Sequence, residues 1–260
     1  MTNSSACVLT GFLESLRSKK NSISESTANK KSSESLEDTF QSTLVKGGLI
    51  DLTHELEKSK KGQSSIFSQA STKGARKKQF HIVKDYIADV QLDSKKLRKD
   101  TQGIFPENCF IRHPCGPGHK PDFLVVINGW MLYWEMKTST QGFNGKLNDK
   151  PIPAQSFVLC SSGSTKLTCP FTWFQVADIM NDETWAYYNA VLPRLRKARD
   201  DLRAATAHLF TDAVRGYASE VSLRGIVGWG QSNNDWFRKT INGFTPQQRE
   251  QRVIDIIQAL

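Results

Sequence analysis

Asp122, Glu135 and Lys137 lie within the segment KPDFLVVINGWMLYWEMKTS. Two carboxylates and an ammonium form a set suited to phosphodiester chemistry: the acids hold a divalent cation and the cation of the side chain steadies charge developing on a phosphate. Their spacing has geometric meaning. Asn128-Gly129 favours a two-residue type I′ turn, so the β-rich runs on either side form a hairpin whose register the turn sets. Ile127 then pairs with Trp130, and counting outward along both strands brings Asp122 opposite Glu135. Side chains paired in this way share a face, with Cβ atoms about 5 Å apart, and Lys137 lies two residues further along that face.

Facing carboxylates repel one another unless a cation or a proton stands between them. Magnesium, with manganese as a substitute, takes oxygen ligands and keeps several waters, so Asp122, Glu135 and the main-chain carbonyl of Met136 form a reasonable ligand set. Lys137 would stabilise the developing charge or orient the attacking water. The other face of the hairpin carries Phe123, Val125, Ile127, Trp130, Leu132, Trp134 and Met136, a core surface that supports the same register independently of the turn. The bland alternative is an ordinary solvated hairpin face that happens to carry Asp, Glu and Lys.

Pro121-Asp122, twelve intervening residues and then Glu135-Met136-Lys137 resembles the PD-(D/E)xK nuclease superfamily, type II restriction endonucleases above all. The resemblance covers about residues 118 to 160. It implies an α/β core with a central mixed β-sheet flanked by helices, magnesium-dependent hydrolysis of double-stranded DNA leaving 5′-phosphates, and a homodimer reading a short palindromic site. The polar stretch after Lys137, with Phe143-Asn144 and Asn148-Asp149, is also similar to restriction endonucleases. Some relatives add an acid from an earlier helix. Glu55 is the candidate here, set against the simpler reading of an exposed helical glutamate.

The elements that must position these groups are readable in outline. Residues 1–75 are rich in Ser, Lys and Glu with short helical patterns at Leu36, Phe40, Leu44 and at Leu49, Leu52, Leu56, which suggests a helical, partly flexible N-terminal arm ahead of a nuclease domain over 76–260. Phe80, Val83, Ile87 and Val90 have helical spacing. Residues 104–137 switch to a period of two, and further strand-like runs follow at SFVLCSS and TWFQVADIM. Asn181 is a good N-cap for a helix that Pro193 should kink or divide, with Leu195, Ala198, Leu202, Ala205 and Leu209 as the apolar stripe beyond it. Thr245, Pro246 and Gln248 form a capping-box start for the last helix.

The formal net charge of +9, from 35 Lys and Arg against 26 Asp and Glu, favours a polyanionic partner. LRGIVGWGQSNNDWFRK offers Arg224, Gln231, Asn233, Asn234, Arg238 and Lys239, residue types that read base edges or hold phosphates, and Asn144 joins them; a Gly/Asn-rich surface loop is the competing reading. For Lys19-Lys20, Lys30-Lys31, Lys95-Lys96 and Arg76-Lys77-Lys78, solvated charge is the default. Five cysteines without a CxxC pair argue against a disulfide framework and a zinc site. The apolar start is followed rather than preceded by basic residues, and no apolar run approaches a membrane span, which points to an intracellular, cytoplasmic chain with no membrane partner. Beside the restriction-enzyme reading stand a structure-specific nuclease of repair or junction resolution, a noncatalytic DNA-binding protein on the same fold, and a host-interaction or structural protein.

Overall fold

The computed structural model describes residues 4–18, 34–91, 93–116, 120–139, 152–162, 171–180, 182–206 and 240–260. The strands are β1 (Ile50–Asp51), β2 (Arg98–Lys99), β3 (Asn108–Arg112), β4 (Phe123–Ile127), β5 (Trp130–Ser139), β6 (Phe157–Ser162) and β7 (Phe171–Gln175). The helices are α1 (Ser4–Ser18), α2 (Glu34–Lys46), α3 (Thr53–Lys61), α4 (Lys73–Ala88), α5 (Asp182–Thr206) and α6 (Pro246–Gln258). All seven strands join one mixed sheet in the order β1-β3-β4-β5-β6-β7, with β2 paired to β5. The pairs β1–β3 and β5–β6 are parallel, and β3–β4, β4–β5, β6–β7 and β2–β5 are antiparallel. This is the α/β architecture with a central mixed sheet and flanking helices that the sequence suggested.

The β4–β5 hairpin has the expected register, Ile127 opposite Trp130 and Phe123 opposite Trp134. Asn128 at φ 50° and Gly129 at φ 75° supply the two left-handed residues that a type I′ turn requires. All five residues of β4 are buried. Such a strand is covered on both sides, which explains the near-continuous apolar run FLVVI. On one side Phe123, Val125, Ile127, Leu132, Trp134 and Met136 pack with α1, α2 and α6. On the other, Leu124, Val126, Met131 and Tyr133 pack under α3 and α4. Trp130 is only partly buried at the hairpin end, with the Lys99 ammonium 5.6 Å from the centre of its ring.

The N-terminal segment is helical as expected, but it belongs to the core. Leu9, Leu13, Phe40 and Leu44 are fully buried, and the Phe40 ring lies 5.1 Å from that of Phe123 and 5.4 Å from that of Trp134. Burial of large aromatic surface of this kind fixes α2 against the sheet. β1 and α3, also within the first 75 residues, belong to the same fold, with β1 completing one edge of the sheet.

Two local expectations change. The run TWFQVADIM is a strand only as far as Gln175, after which Val176–Asp178 turns into a 3-10 helix. Pro193 neither ends nor divides its helix: α5 runs through it from Asp182 to Thr206. Pro193 and Asn189 are both exposed, so water can satisfy the carbonyl that loses its partner. Of the stripe Leu195, Ala198, Leu202, Ala205 and Leu209, the side chain of Ala198 is described and is exposed. At α6 the capping box is present, with Gln248 N–H donating to Thr245 Oγ1 and Thr245 N–H to Gln248 Oε1. Among the described residues no helix is long and apolar enough to cross a membrane.

Candidate active site

Asp122 stands immediately before β4, and Glu135 and Lys137 occupy alternate positions on β5. The β3–β4 ladder continues one step past its last strand pair, because His113 N–H donates to Asp122 O at 2.7 Å. On the other side Met136 N–H donates to Asp122 Oδ2 at 2.7 Å, so the carboxylate is held by the strand that carries its two partners. The side chain of Glu135 is only 3% exposed, whereas those of Asp122 and Lys137 are 17% and 23% exposed. The trio therefore lies where the covered sheet opens, partly accessible and largely dehydrated.

Lys137 Nζ donates to Glu135 Oε1. The other oxygen, Glu135 Oε2, is buried and has no hydrogen-bond partner among the described residues. Burial, and then the charge of Glu135, push the Asp122 carboxyl up to about 6, against the Met136 amide and Lys137, which favour its ionised form. Burial works against the charged form of Lys137, but the charge and hydrogen bond of Glu135 outweigh it and hold the ammonium above its ordinary range. Cys160, which pairs with Lys137 across β5–β6, has its thiol pushed up to about 12 by burial. It is therefore a neutral packing group and not a nucleophile.

A second charged group adjoins the trio. Glu37, from α2, accepts from Arg112 at 2.9 and 3.2 Å and lies 3.1 Å from His113 Nε2. The opposite ring nitrogen, Nδ1, is 3.9 Å from Asp122 Oδ1. His113 thus stands between a helix acid and Asp122. The hydrogen bond to Glu37 raises the His113 pKa, opposed by burial and supported by the charges of Glu37 and Asp122. For Glu37, burial favours the neutral form, but the bonds from His113 and Arg112 overcome it and lower the pKa. His113 also has a left-handed backbone, φ 48°, an uncommon state for a non-glycine residue and one concentrated at functional sites.

The three residues expected to carry chemistry are therefore brought together, and Met136 lies beside them through its main chain. Glu55 is engaged elsewhere: its carboxylate pairs with Lys58 and accepts Ile66 N–H at 3.0 Å. The helix acid next to the trio is Glu37. Sequence reading missed Glu37, His113 and Arg112, although the pattern Leu36, Phe40, Leu44 had already marked the helix that carries Glu37. Asn144, Arg224, Gln231, Asn233, Asn234, Arg238 and Lys239 lie outside the described residues.

The residues present fit a magnesium ion. Among the described residues no three His, Cys, Asp or Glu side chains form a ready-made metal cage. Magnesium does not need one, since it binds through one or two carboxylates and retains water. A buried Glu135 oxygen with no hydrogen-bond partner among the described residues, beside an Asp122 whose proton affinity is raised by burial and then by Glu135, makes a pair that a hard divalent cation would satisfy. Among the described residues, Cys7, Cys109, Cys115 and Cys160 form no disulfide.

No protein family, no curated protein and no solved structure matches this chain. The fold is that of an α/β protein with an open mixed sheet, and the site is a carboxylate pair with a lysine at the end of a buried hairpin.

Proposed function

We propose that the chain is a magnesium-dependent endonuclease that hydrolyses phosphodiester bonds of double-stranded DNA, in the manner of the type II restriction endonucleases of the PD-(D/E)xK superfamily. The reading includes a homodimer that cuts both strands at a short specific site and leaves 5′-phosphates. The observation that carries it is the joining of Asp122 to β5 through Met136 N–H, beside a buried Glu135 that holds Lys137. The proximity of the three side chains that the sequence spacing picks out supports this reading.

Each residue has a distinct task. Asp122 and Glu135 would hold the cation, with the Met136 carbonyl as a third oxygen. A magnesium ion held by these residues would supply polarisation of a phosphate oxygen and a lowered pKa for a water. Glu135 keeps Lys137 protonated and aimed, so that its ammonium meets charge developing on the phosphate or fixes the attacking water. Asp122 must lose its proton to serve as a ligand; without metal, burial and the charge of Glu135 push its carboxyl up to about 6. The buried surroundings strengthen these interactions by excluding bulk water.

Incubation of the purified chain and of Asp122→Ala with unmethylated phage DNA, with and without magnesium, tests the reading by electrophoresis. Discrete magnesium-dependent fragments that disappear in the variant support a site-specific nuclease. A continuous smear under all conditions removes the site specificity. Intact DNA throughout removes the catalytic reading, and fragments that persist in Asp122→Ala remove the assignment of the trio.

A further inference from the structure

The end of the α3–α4 helix pair carries an unusual concentration of cations. Lys58, Lys60 and Lys61 occupy the last turn of α3, and Lys73, Arg76, Lys77 and Lys78 the first turns of α4. The two carboxylates of α3, Glu55 and Glu57, are taken up by Lys58 and Lys60. Arg76 is structural: it donates to the carbonyls of Gly62, Ala70 and Ser71 and so closes the loop between the helices. Lys61, Lys73, Lys77 and Lys78 remain, all exposed and with no acidic partner among the described residues.

The stems of Lys73 and Lys77 lie against the end of α3. Gly62, next to Lys61, caps α3 in a left-handed conformation at φ 74°. A Cβ there would meet Lys73 Cγ at 2.6 Å and Lys77 Cγ at 3.3 Å, so the stems of both lysines lie against the cap. Arg76 fastens to the same residue by its bond to the Gly62 carbonyl, 2.7 Å. Two helices thereby present their cations as one patch.

Solvated charge explains this arrangement poorly. Lysines at the end of α3 are favoured by the helix dipole, but Lys73 opens α4 at the end where the dipole disfavours cations, that first turn contains no acid, and Lys77 and Lys78 follow directly in the next turn. Like charges crowded at an unfavourable position indicate an anionic partner. The patch is also placed to serve the site. α3 begins at Thr53, whose hydroxyl accepts the N–H of Arg112, the neighbour of His113. Nine residues of helix carry the chain only about 13 Å from there, a distance comparable to a groove of duplex DNA.

We propose that Lys61, Lys73, Lys77 and Lys78 form a backbone clamp for the phosphates of duplex DNA, outside the catalytic trio. The choice of a duplex as partner rests on the nuclease reading, whereas the clamp itself acts without cleavage. Lysines act here as point charges without a bidentate fork or a stacking ring, so the contact positions the duplex and does not read its sequence. An anionic membrane is the competing partner. Charge alone would serve it as well, but the placement beside the site favours nucleic acid.

The test measures anisotropy of a labelled duplex of about 20 base pairs in metal-free buffer across a salt titration. The full-length wild type is compared with a variant carrying Lys61→Gln, Lys73→Gln, Lys77→Gln and Lys78→Gln, and with one carrying Lys→Arg at the same four positions. The glutamine variant should bind at least about tenfold more weakly at low salt, with the slope of log affinity against log salt flatter by about three to four, for duplexes of any sequence. Its melting temperature should be unchanged or higher, and the arginine variant should behave as the wild type. The proposal is overturned by an unchanged slope and affinity, by an arginine variant that fails as badly as the glutamine one, or by lysine-dependent binding to phosphatidylserine vesicles in place of the duplex. Magnesium-dependent cleavage by the same preparations separates the two readings. Lysine-dependent binding without cleavage keeps the clamp and removes the nuclease, and equal cleavage by wild type and glutamine variant at every salt concentration does the reverse.

Discussion

Asp122 Oδ2 accepts the main-chain N–H of Met136 at 2.7 Å, so the acid at the head of β4 is tied to the strand that carries Glu135 and Lys137. An asparagine can accept the same bond without the charge. Asp122 has its pKa raised from 3.8 to about 6 by burial and by Glu135, which means that ionisation of the metal-free protein weakens the fold. The folded state holds a proton that the unfolded state has lost, so stability falls as pH rises from about 4 to about 6 and then levels off. Asp122→Asn should abolish that decline and be more stable at neutral pH by about 2 kcal/mol, while cleavage falls at least about a hundredfold. Urea unfolding across this pH range checks the first part; a destabilised Asp122→Asn protein would show that the carboxylate charge is already compensated.

Lys137 has the opposite effect on stability. Its ammonium compensates a Glu135 that is 3% exposed, and removing one partner of a buried pair leaves the other charge without relief. Lys137→Met should cost about 3 kcal/mol in the absence of metal. Millimolar magnesium should restore part of that loss, because a cation replaces the missing charge, but should not restore cleavage. Thermal melts with and without magnesium give the measurement. Equal melting in both buffers would argue against cation binding at the carboxylate pair.

Glu37 and His113 give a prediction of their own. The Glu37 pKa is lowered from 4.5 by its His113 and Arg112 bonds, which prevail over burial, and the His113 pKa is raised from 6.5 chiefly by its bond to Glu37. The acid contributes stability above about 4.5 that is lost as pH falls through its folded value. The histidine contributes stability below about 6.5 that is lost as pH rises through its own. The contact is therefore strongest between these two limits. Glu37→Gln should lower the His113 midpoint in an NMR titration of its ring protons and should destabilise the chain most within that window. An unmoved midpoint would mean that Glu37 does not set the charge of His113.

The hairpin was legible because two independent signals agreed, the Asn128-Gly129 turn and an apolar face on alternate residues. Together they set the register that brings Asp122 to Glu135. The neighbours of that pair were not legible for equally physical reasons. His113 meets Asp122 through β3–β4, but the connection between those strands is no tight turn and leaves their register open. Glu37 reaches the site because Phe40, one helical turn later, packs on Phe123 and Trp134, a tertiary contact that no local pattern encodes. Glu55 was the more prominent helix acid in sequence, yet its partners are Lys58 and the Ile66 amide. Pro193 shows the same limit, since a local rule about proline gave way to an exposed helix whose carbonyl water can reach.

The turn that sets the register provides a final test that separates folding from chemistry. Gly129 has φ 75°, where an L side chain is strained, but an added Cβ would meet only Lys99 Cε at 3.7 Å, an ordinary contact. The cost of Gly129→Ala is therefore one of backbone conformation, about 1 kcal/mol. The turn lies at the end of the hairpin remote from Asp122 and Glu135, and burial on both faces of β4 opposes any slip of one residue. Gly129→Ala should unfold at lower urea concentration with an unchanged slope, and it should cleave DNA at the wild-type rate below its unfolding transition. A loss of cleavage far greater than the loss of stability would show that the turn, and not the core, maintains the alignment of the two carboxylates.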